Sequence, residues 1–427
     1  IRLPVVGRAV EVARVLPRHR LRLVAPRLSA GRVAADDLAE LHHPVADVHV
    51  RGELRNSVAR GEFAVPHLAP RSRCALEIPG VGPRTGETFL NVSFRLKRDE
   101  LWAERGYEVA RNQVALGGTF APTPAGRAGT VSVDAQPDRI EVVAGATRAV
   151  FAKSSGTLSS LVMDGCRILE DRAGVVRGPR LTSVRAFVDN DVRRYSLPYF
   201  ESGLTQAKYH VRELKAEKAD DAVWVRCVVS VDGAKACGFL HTAEWTFRGD
   251  GSAEVRNRSE PYGDLPQLTR LGLGWQLDGA LTNMTWYGRG PYENYVDRKS
   301  GSLMGVWRST VSEQYVDYVR PQDCGGKCDV RRVDFTDAAG RGVRFESAEP
   351  FYLQALHYGW EDLHFARHSP RQGRIYAPLR PRAEVMLNLD CRQTGLGGIS
   401  PTPLAKYIFP NQTEEWSLRL LPLAGRR

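Results

Sequence analysis

The amino-acid sequence predicts an all-β protein made of two successive β-sandwich domains, and three observations lead to this prediction. Short segments alternate apolar and polar side chains, helical periodicity is scarce, and one Gly/Pro-rich stretch divides the chain. Alternation at period two is typical of half-buried strands. Many short strands bounded by turn residues favour antiparallel sandwiches over alternating strands and helices. The clearest alternating segments are residues 88–96, 139–143, 222–229 and 330–335.

Turn residues and the Gly/Pro-rich stretch set the order of these elements. Asp164-Gly165 lies between two apolar segments and predicts a two-residue hairpin, because glycine tolerates a positive φ. Residues 117–129 read GGTFAPTPAGRAG and are typical of an interdomain linker. We therefore predict an immunoglobulin-like sandwich at residues 23–117, a linker at 118–129 and a larger sandwich at 130–427.

Composition excludes several classes of protein. Of the 427 residues, 42% are hydrophobic and 26% are charged, and the chain has no run of about 18 apolar residues, so we expect no membrane helix. The first 24 residues are interrupted by arginines and lack the apolar core of a signal peptide. The net charge of +11 comes from arginines interleaved with acids, which does not predict nucleic-acid binding. Because the first residue is Ile, we expect a fragment or a processed chain.

The seven cysteines are odd in number and widely scattered, which does not predict a disulfide framework. A reducing cytoplasm is therefore the expected location. Cys324 and Cys328 form a CGGKC segment that resembles half of a metal or redox site. A structural zinc site needs four ligands, and no second Cys/His pair with suitable spacing accompanies them, so a structural role is favoured.

One segment of the chain identifies a family. Residues 286–298 read WYGRGPYENYVDR, and this resembles the W-x-G-x-G-P-x-E-N-Y-x-D-R signature in the C-terminal domain of lac-type β-galactosidases, glycoside hydrolase family 2. The matching positions are Trp286, Gly288, Gly290, Pro291, Glu293, Asn294, Tyr295, Asp297 and Arg298.

Other segments resemble the same family in the same order. Residues 185–191 read RAFVDND and match its R-A-P-x-D-N-D segment at Arg185, Ala186, Asp189, Asn190 and Asp191, with Phe187 in place of Pro. Residues 318–322 and 387–398 resemble its Y-V-x-P-Q and L-N-x-D-x-x-Q-x-G-L-G-G segments. Residues 86–113 resemble the small sandwich that follows the catalytic barrel, and residues 1–22 resemble the connector that leaves it.

The resemblance implies both a fold and a reaction. The first domain would be an immunoglobulin-like sandwich, and the second a large supersandwich related to galactose mutarotase. The family hydrolyses terminal β-galactosides with retention, which needs two carboxylates about 5 Å apart. In the family both are glutamates on a (β/α)8 barrel that also holds Mg²⁺ and Na⁺. Nothing in this sequence resembles the barrel, so we assign no catalytic residue, metal ligand or cofactor to this chain and expect it to be inactive alone.

The partner implied by the resemblance is the barrel-bearing segment or large chain, with homo-oligomer contacts also expected and substrate bound only in the assembled enzyme. In the family, a loop after the last Gly-Gly can supply a Trp that stacks on the sugar. Here that loop contains Ile399 and Ser400 instead, and these two are our candidates for the rim of the substrate pocket.

Each of these residues also has a structural interpretation. Glu293, Asn294, Asp297 and Arg298 could form a sugar site, but acid and arginine after a Gly-Pro turn favour a salt bridge and side-chain caps. Asp189, Asn190 and Asp191 resemble a cation site, but an Asx-turn or interdomain loop is favoured.

Histidines and aromatic side chains have two interpretations as well. If the segment is helical, His364 and His368 share one face and resemble paired metal ligands. A surface or interface role is nevertheless favoured for the cluster of His357, His364 and His368. A group of aromatic residues could line a carbohydrate groove, although core packing is the default for such side chains in a large sandwich. The group comprises Trp275, Trp286, Tyr287, Tyr292, Tyr295 and Trp307.

Two functions outside assembly remain open from the sequence. An aldose 1-epimerase would need a His acid and a carboxylate base on the concave sheet face, and His210, His241 and Glu293 are the candidates. A carbohydrate-binding module is the other alternative.

Overall fold

The structure is a computed structural model that describes residues 20–24, 45–51, 57–63, 73–77, 86–124, 126, 129–365, 379–398 and 402–425. The chain divides into two compact units, Ile1–Ala121 (unit 1) and Pro122–Arg427 (unit 2). The division falls inside the Gly/Pro-rich stretch at 117–129. Strands dominate the described residues of both units, which confirms the all-β prediction.

Unit 1 contains a four-stranded antiparallel sheet in the order β3-β2-β5-β6 and a two-stranded sheet of β1 and β4. Its strands are β1 Arg20–Val24, β2 Val45–Arg51, β3 Ser57–Phe63, β4 Arg73–Glu77, β5 Thr88–Arg95 and β6 Glu108–Gly117. In β5 the apolar residues Leu90, Val92 and Phe94 are buried, because residues two apart share one face of a strand.

Unit 2 begins with a five-stranded antiparallel sheet in the order β11-β10-β9-β8-β7. Its strands are β7 Val131–Ala135, β8 Arg139–Ala144, β9 Thr147–Ala152, β10 Thr157–Met163 and β11 Cys166–Glu170. The predicted hairpin between β10 and β11 is confirmed. Asp164 and Gly165 both have positive φ, 48° and 70°, as a two-residue turn between right-twisted strands requires.

The larger sheet of unit 2 has 12 strands among the described residues. Its main path is β12-β17-β22-β21-β23-β16-β15-β14-β13, and a branch forms where β20 pairs with β21, and β18 with β19 and β20. The strands are β12 Arg180–Thr182, β13 Lys208–Lys218, β14 Ala222–Asp232, β15 Gly238–Arg248, β16 Ala253–Tyr262, β17 Arg270–Leu277, β18 Asn283–Gly290, β19 Leu303–Thr310, β20 Lys327–Thr336, β21 Gly342–Leu356, β22 Val385–Gln393 and β23 Glu414–Leu423.

The main core lies between the five-stranded sheet and one face of the larger sheet. Phe151 of the smaller sheet meets Trp245 of β15 edge to face at a centroid distance of 5.8 Å, and both are buried. Trp275 of β17 packs against Phe345 of β21 at 5.2 Å. Since side chains alternate along a strand, the neighbours of these core residues project from the opposite face of the larger sheet.

Three short helices occur in the described part of unit 2: α1 Asp189–Arg194, α2 Ser196–Ser202 and α3 Trp360–Phe365. The expected Asx-turn or loop at residues 189–191 is wrong, because these residues form the first turn of α1. The Asp191 carboxylate accepts the backbone N–H of Val188 at 3.1 Å, so it satisfies a free donor at the helix start. Within the described residues no helix is both long and apolar enough to span a membrane.

Candidate functional site

The four segments of unit 2 that carry the sequence motifs meet at one cleft, which we call the motif cleft. Its cavity volume is about 280 Å³. The lining residues are Val188, Asp189, Asn190, Glu293, Tyr295, Arg298, Tyr318, Gln322, Asp323, Leu396 and Gly397. These segments are separated by up to two hundred residues in the chain, so it is the folding of the large sheet that brings them together.

The signature segment leaves β18 through a cis peptide bond between Gly290 and Pro291, and Glu293 then anchors it. One oxygen of this carboxylate accepts from Arg298 Nη2 and from the Tyr318 hydroxyl. The other oxygen accepts the backbone N–H of Gly325 at 2.9 Å. The Glu293 side chain is only 9% exposed. Its hydrogen-bonding capacity is directed to neighbouring protein groups, in agreement with the structural interpretation.

The side-chain amide of Asn294 forms hydrogen bonds with backbone groups of two segments of the chain, its own turn and the start of β20. It is fully buried, its Oδ1 accepts the N–H of Cys328 at 2.7 Å, and its Nδ2 donates to the carbonyl of Tyr292 at 3.0 Å. Its own N–H donates to the Gly326 carbonyl at 2.8 Å. The signature segment is thereby fastened to the start of β20, since buried amide groups need partners.

Arg185 is the buried anchor of the second motif. Its guanidinium donates twice to the Asp191 carboxylate, with both distances 2.9 Å, and also donates to the carbonyls of Thr394 and Gly395 at 2.6 and 3.2 Å. Burial lowers the pKa of Arg185, but the Asp191 charge more than offsets this and raises the pKa above its ordinary value. Arg185 therefore stays protonated, and its hydrogen bonds connect α1 to the segment after β22.

Asn190 and Asp297 hold the Gly-Gly turn from two sides. Asn190 Nδ2 donates to the carbonyls of Leu396 and Gly398 at 3.0 and 3.2 Å. Asp297 Oδ2 accepts the N–H of Gly397 at 2.8 Å. Both motifs thus position residues 395–398. Ile399 and Ser400, our rim candidates, lie just beyond and outside the described residues. Asp189 is exposed and lies 3.6 Å from Arg320.

A buried polar network under the cleft was not found by sequence reasoning. Tyr295 donates to Asp323 at 2.8 Å, and Asp323 accepts from Gln354 at 2.9 Å. Gln354 in turn accepts from Arg270 Nη1 at 3.0 Å. Arg270 also donates twice to Asp390 Oδ2, at 2.9 and 2.8 Å. The sign that could have revealed this network is a charged or amide residue within an apolar strand segment.

Burial shifts the pKa values of the acids in this network. Burial raises the pKa of Asp323, although Arg270 and Arg185 oppose the shift. Burial likewise raises the pKa of Asp390 to about 6, against the effect of Arg270. Both acids are held by side chains of the large sheet or the signature segment, and these hydrogen bonds link the two.

Lys327 is a second buried residue that the sequence analysis missed. It is 2% exposed, its ammonium donates to the Gly325 carbonyl at 2.8 Å, and it lies 5.4 Å from the centre of the Trp286 ring. Burial lowers the pKa of Lys327 to about 8, while Glu293 opposes that shift.

The remaining metal and thiol candidates do not converge. Cys324 and Cys328 are buried free thiols, and burial raises the pKa of each to about 12. In the described part of the chain, no three His, Cys, Asp or Glu side chains are grouped so that they could hold a metal ion. His357 Nδ1 lies 3.1 Å from the Glu384 carbonyl, His364 contacts Phe187 at 5.4 Å, and His368 lies outside the described residues.

The three epimerase candidates are separated. His210 pairs with Ser230 and His241 with Val229, the preceding residue of β14, so the two rings project from opposite faces of the sheet. His241 is buried with its Nε2 3.1 Å from Asn257 Oδ1, and burial lowers its pKa to about 4. Glu293 is engaged in the motif cleft as described above.

The aromatic group is mostly core, with one exception. Trp275, Trp286, Tyr287 and Tyr295 are buried and Trp307 is half-buried, but Tyr292 is 74% exposed, so core packing is wrong for it. The reason is its place in the turn that follows Gly290-Pro291, outside any strand. Val319, next to the Glu293 partner Tyr318, is 88% exposed. Both residues are adjacent in sequence to residues that line the motif cleft.

Comparison with known families gives two matches. Residues 144–420 match the family described as the β-galactosidase small chain, and residues 36–117 match the family described as β-galactosidase domain 4. The chain is 29% identical over 319 residues to a β-galactosidase of Priestia megaterium, covering 74% of this chain. It is also 29% identical over 333 residues to β-galactosidase BgaC of Bifidobacterium adolescentis, covering 73% of this chain. In both cases the chain spans 29% of the relative's length.

Solved structures give a more distant likeness. A putative aldose 1-epimerase from Escherichia coli K12 aligns with 69% of this chain and 99% of its own, at 11% identity and a TM-score of 0.34. A galactose 1-epimerase from Lactobacillus acidophilus aligns with 70% of this chain and 99% of its own, at 8% identity and a TM-score of 0.36.

Proposed function

Since this chain belongs to the β-galactosidase small-chain family, we propose that it is the accessory part of a β-galactosidase that hydrolyses terminal β-D-galactosides with retention. In this proposal the two reacting glutamates lie on a (β/α)8 barrel carried by another segment or another chain. The present chain supports that barrel and completes the rim of its substrate pocket.

The observation that carries the proposal is that acidic side chains at the motif cleft are engaged with neighbouring protein groups. A retaining glycosidase needs one carboxylate free to attack the sugar and one free to exchange a proton. Here Glu293 is held by Arg298, Tyr318 and a backbone N–H. Asp191 is held by Arg185. The other two acids that line the cleft also have partners: Asp323 accepts from Tyr295 and Gln354, and Asp189 lies 3.6 Å from Arg320. The acids of the described cleft residues are thus engaged with protein groups, which supports the interpretation of a supporting surface.

The geometry of the Gly-Gly turn supports a role at the pocket rim. Arg185, Asn190 and Asp297 hold residues 394–398 by their backbone groups. The turn that immediately precedes Ile399 and Ser400 in the chain is therefore fixed, while these two residues lie outside the described part of the structure. We propose that they face the aglycone side of the substrate, and that another residue of the assembled enzyme supplies the stacking aromatic ring.

In this proposal, metal ions are bound only by the barrel-bearing part of the enzyme. The family implies Mg²⁺ and Na⁺, but the cleft acids of this chain are engaged with Arg185, Arg298 and backbone donors, and the described residues offer no group of three suitable ligands. The described residues of the motif cleft therefore do not fit a divalent cation, and no step of the proposal passes through one.

The exposed apolar residues beside the cleft suggest where the barrel-bearing part docks. Tyr292 and Val319 are large and solvent-exposed, and exposed apolar groups next to ordered polar loops are typical of interfaces. A homo-oligomer contact at another face would be compatible with this arrangement. Free thiols are found at Cys166, Cys227, Cys237, Cys324, Cys328 and Cys391, which supports the proposal of a reducing, cytoplasmic location.

Binding between the two parts tests the docking proposal. The chain would be mixed with the barrel-bearing part of a β-galactosidase, produced as a separate polypeptide, and complex formation would be followed by size-exclusion chromatography and calorimetry. We expect Tyr292→Ser combined with Val319→Ser to weaken the complex about tenfold or more, since each truncation at an interface costs about 1 kcal/mol. Trp224→Ser is the matched control, because Trp224 is 50% exposed on β14. Equal affinity of the double variant and the control variant would contradict the proposed docking face.

A further inference from the structure

A second cleft in unit 2 is distinct from the motif cleft, and we call it the sheet cleft. Its cavity volume is about 370 Å³, within the usual range of about 300–1,000 Å³ for small-molecule sites. The polar and aromatic side chains that matter here are Arg180, Tyr209, Trp360, Glu361 and Asn388. They come from β12, β13, the start of α3 and β22, and none belongs to the motif cleft.

The floor of the sheet cleft is a row of residues that crosses three strands. Arg180 of β12 pairs with Gly274 of β17, which pairs with Asn388 of β22. Directly paired residues project from the same face of an antiparallel sheet. Gly274 adds no side chain to this row, so the space between Arg180 and Asn388 stays open. A Cβ atom at Gly274 would lie 3.4 Å from Asn388 Oδ1 and 3.7 Å from Thr182 Cγ2, which is ordinary contact.

Arg180 provides a fixed donor at one end of the floor. Its guanidinium carbon lies 4.6 Å from the centre of the Tyr209 ring, and Tyr209 is itself fixed by donating to the Leu181 carbonyl at 2.9 Å. The Nε atom of Arg180 is buried and has no hydrogen-bond partner among the residues that the structure describes. A buried donor without a partner is costly, so this position favours a ligand that can accept a hydrogen bond.

Asn388 provides a fixed acceptor at the other end. Its Nδ2 donates to Gln354 Oε1 at 3.3 Å, and Gln354 Oε1 also accepts from Arg270. This network sets the orientation of the Asn388 amide and leaves Oδ1 over Gly274. Trp360 and Glu361 add a half-buried aromatic ring and a carboxylate at the wall.

From this arrangement we infer that the sheet cleft is a binding site for a neutral hexopyranoside. A sugar hydroxyl both donates and accepts hydrogen bonds, which suits a fixed donor and a fixed acceptor across an open floor. The C–H face of a pyranose suits an indole ring, since aromatic side chains combine apolar area with polar surroundings. Two arginines line the cleft, and Arg177 is paired with Glu384. The Arg180 cation and the Glu361 carboxylate then offset each other, which makes a neutral polar ligand a better fit than an anion. The inference does not rest on the proposed role in assembly.

The probe for this site is methyl β-D-galactopyranoside, titrated into the 427-residue chain alone by ligand-observed NMR and calorimetry. We expect binding with a Kd on the order of 1 mM for a ligand of this size. Gly274→Val fills the floor, and Arg180→Ala removes the donor. Each should weaken binding about tenfold or more, as expected for loss of a hydrogen bond to a charged group or of the required space.

Gly301→Val is the matched control, because a Cβ at Gly301 meets no atom within 4 Å, and it should bind like the wild type. Thermal melting of every variant checks that the fold is retained, and Arg180→Ala keeps the test valid if Gly274→Val misfolds. Unchanged sugar affinity in both cleft variants, or no binding by the wild type at tenfold higher sugar, overturns the inference. Stabilisation by sulfate that Arg180→Ala abolishes, without sugar binding, also overturns it and makes the cleft an anion site.

Discussion

Removal of the Arg185 guanidinium is the perturbation that most directly tests how the motif cleft is built. Arg185→Met keeps much of the side-chain volume but leaves Asp191 as a buried carboxylate without its cation. The carbonyls of Thr394 and Gly395 lose their donor as well. Breaking a buried ion pair by removing one partner costs about 3–5 kcal/mol, so we expect the free energy of unfolding to fall by about 4 kcal/mol.

The assay is urea denaturation followed by tryptophan fluorescence, combined with hydrogen exchange at Gly397. The N–H of Gly397 is held by Asp297, and we expect its protection to fall because the turn around it loses the Arg185 anchor. The control is the double variant Arg185→Met with Asp191→Leu, which should recover about 2 kcal/mol by removing the unpaired charge. A loss below about 1 kcal/mol in Arg185→Met, with Gly397 still protected, would refute this reasoning.

Three further predictions concern titration and reactivity in unit 2. The folded-state pKa of Asp390 is raised to about 6, so the folded protein binds more protons than the unfolded one between about pH 4 and 6. The free energy of unfolding should therefore fall as pH rises through that window. Asp390→Asn should flatten this slope in urea titrations repeated at several pH values. The pKa of Lys327 is lowered to about 8, so the free energy of unfolding should rise with pH from about 8 to 10. Lys327→Met should remove this rise and increase the free energy of unfolding at pH 7 by about 2 kcal/mol. A variant less stable than the wild type would contradict the idea that the buried ammonium is costly. Burial raises the pKa of Cys324 and Cys328 to about 12, so neither thiol should react with iodoacetamide until the protein unfolds, as peptide mass mapping would reveal.

Period-two patterning was a reliable guide to the strands. The alternating segments at 139–143, 222–229 and 330–335 all lie within strands, and the Asp164-Gly165 turn joins β10 to β11. These features depend on residues close together in the chain, which is why local patterns predict them. Helix α1 has only six residues, too few for a periodicity of 3.6 to be recognised, and its start depends on one capping carboxylate.

Long-range contacts explain what the sequence could not predict about the candidate site. The motif residues were identified individually, but nothing local shows that Asn190 and Asp297 hold the same turn. Arg270 and Asp390 are 120 residues apart, and an isolated charge in a strand is ordinarily assigned to solvent. Only the pairing of β17 with β22 makes them a buried pair. The exposure of Tyr292 likewise depends on where the cis-proline turn lies on the surface.

Turnover of an aryl β-galactoside is the measurement that tests the central claim most directly. The purified 427-residue chain would be assayed alone, and then with increasing amounts of the barrel-bearing part of a β-galactosidase, produced as a separate polypeptide. The account predicts no turnover by the chain alone, and activity that rises with the partner and saturates when the two are equimolar. Turnover by the chain alone that co-purifies with it and is lost in Glu293→Gln would contradict the account, because it would place a reacting carboxylate in the motif cleft.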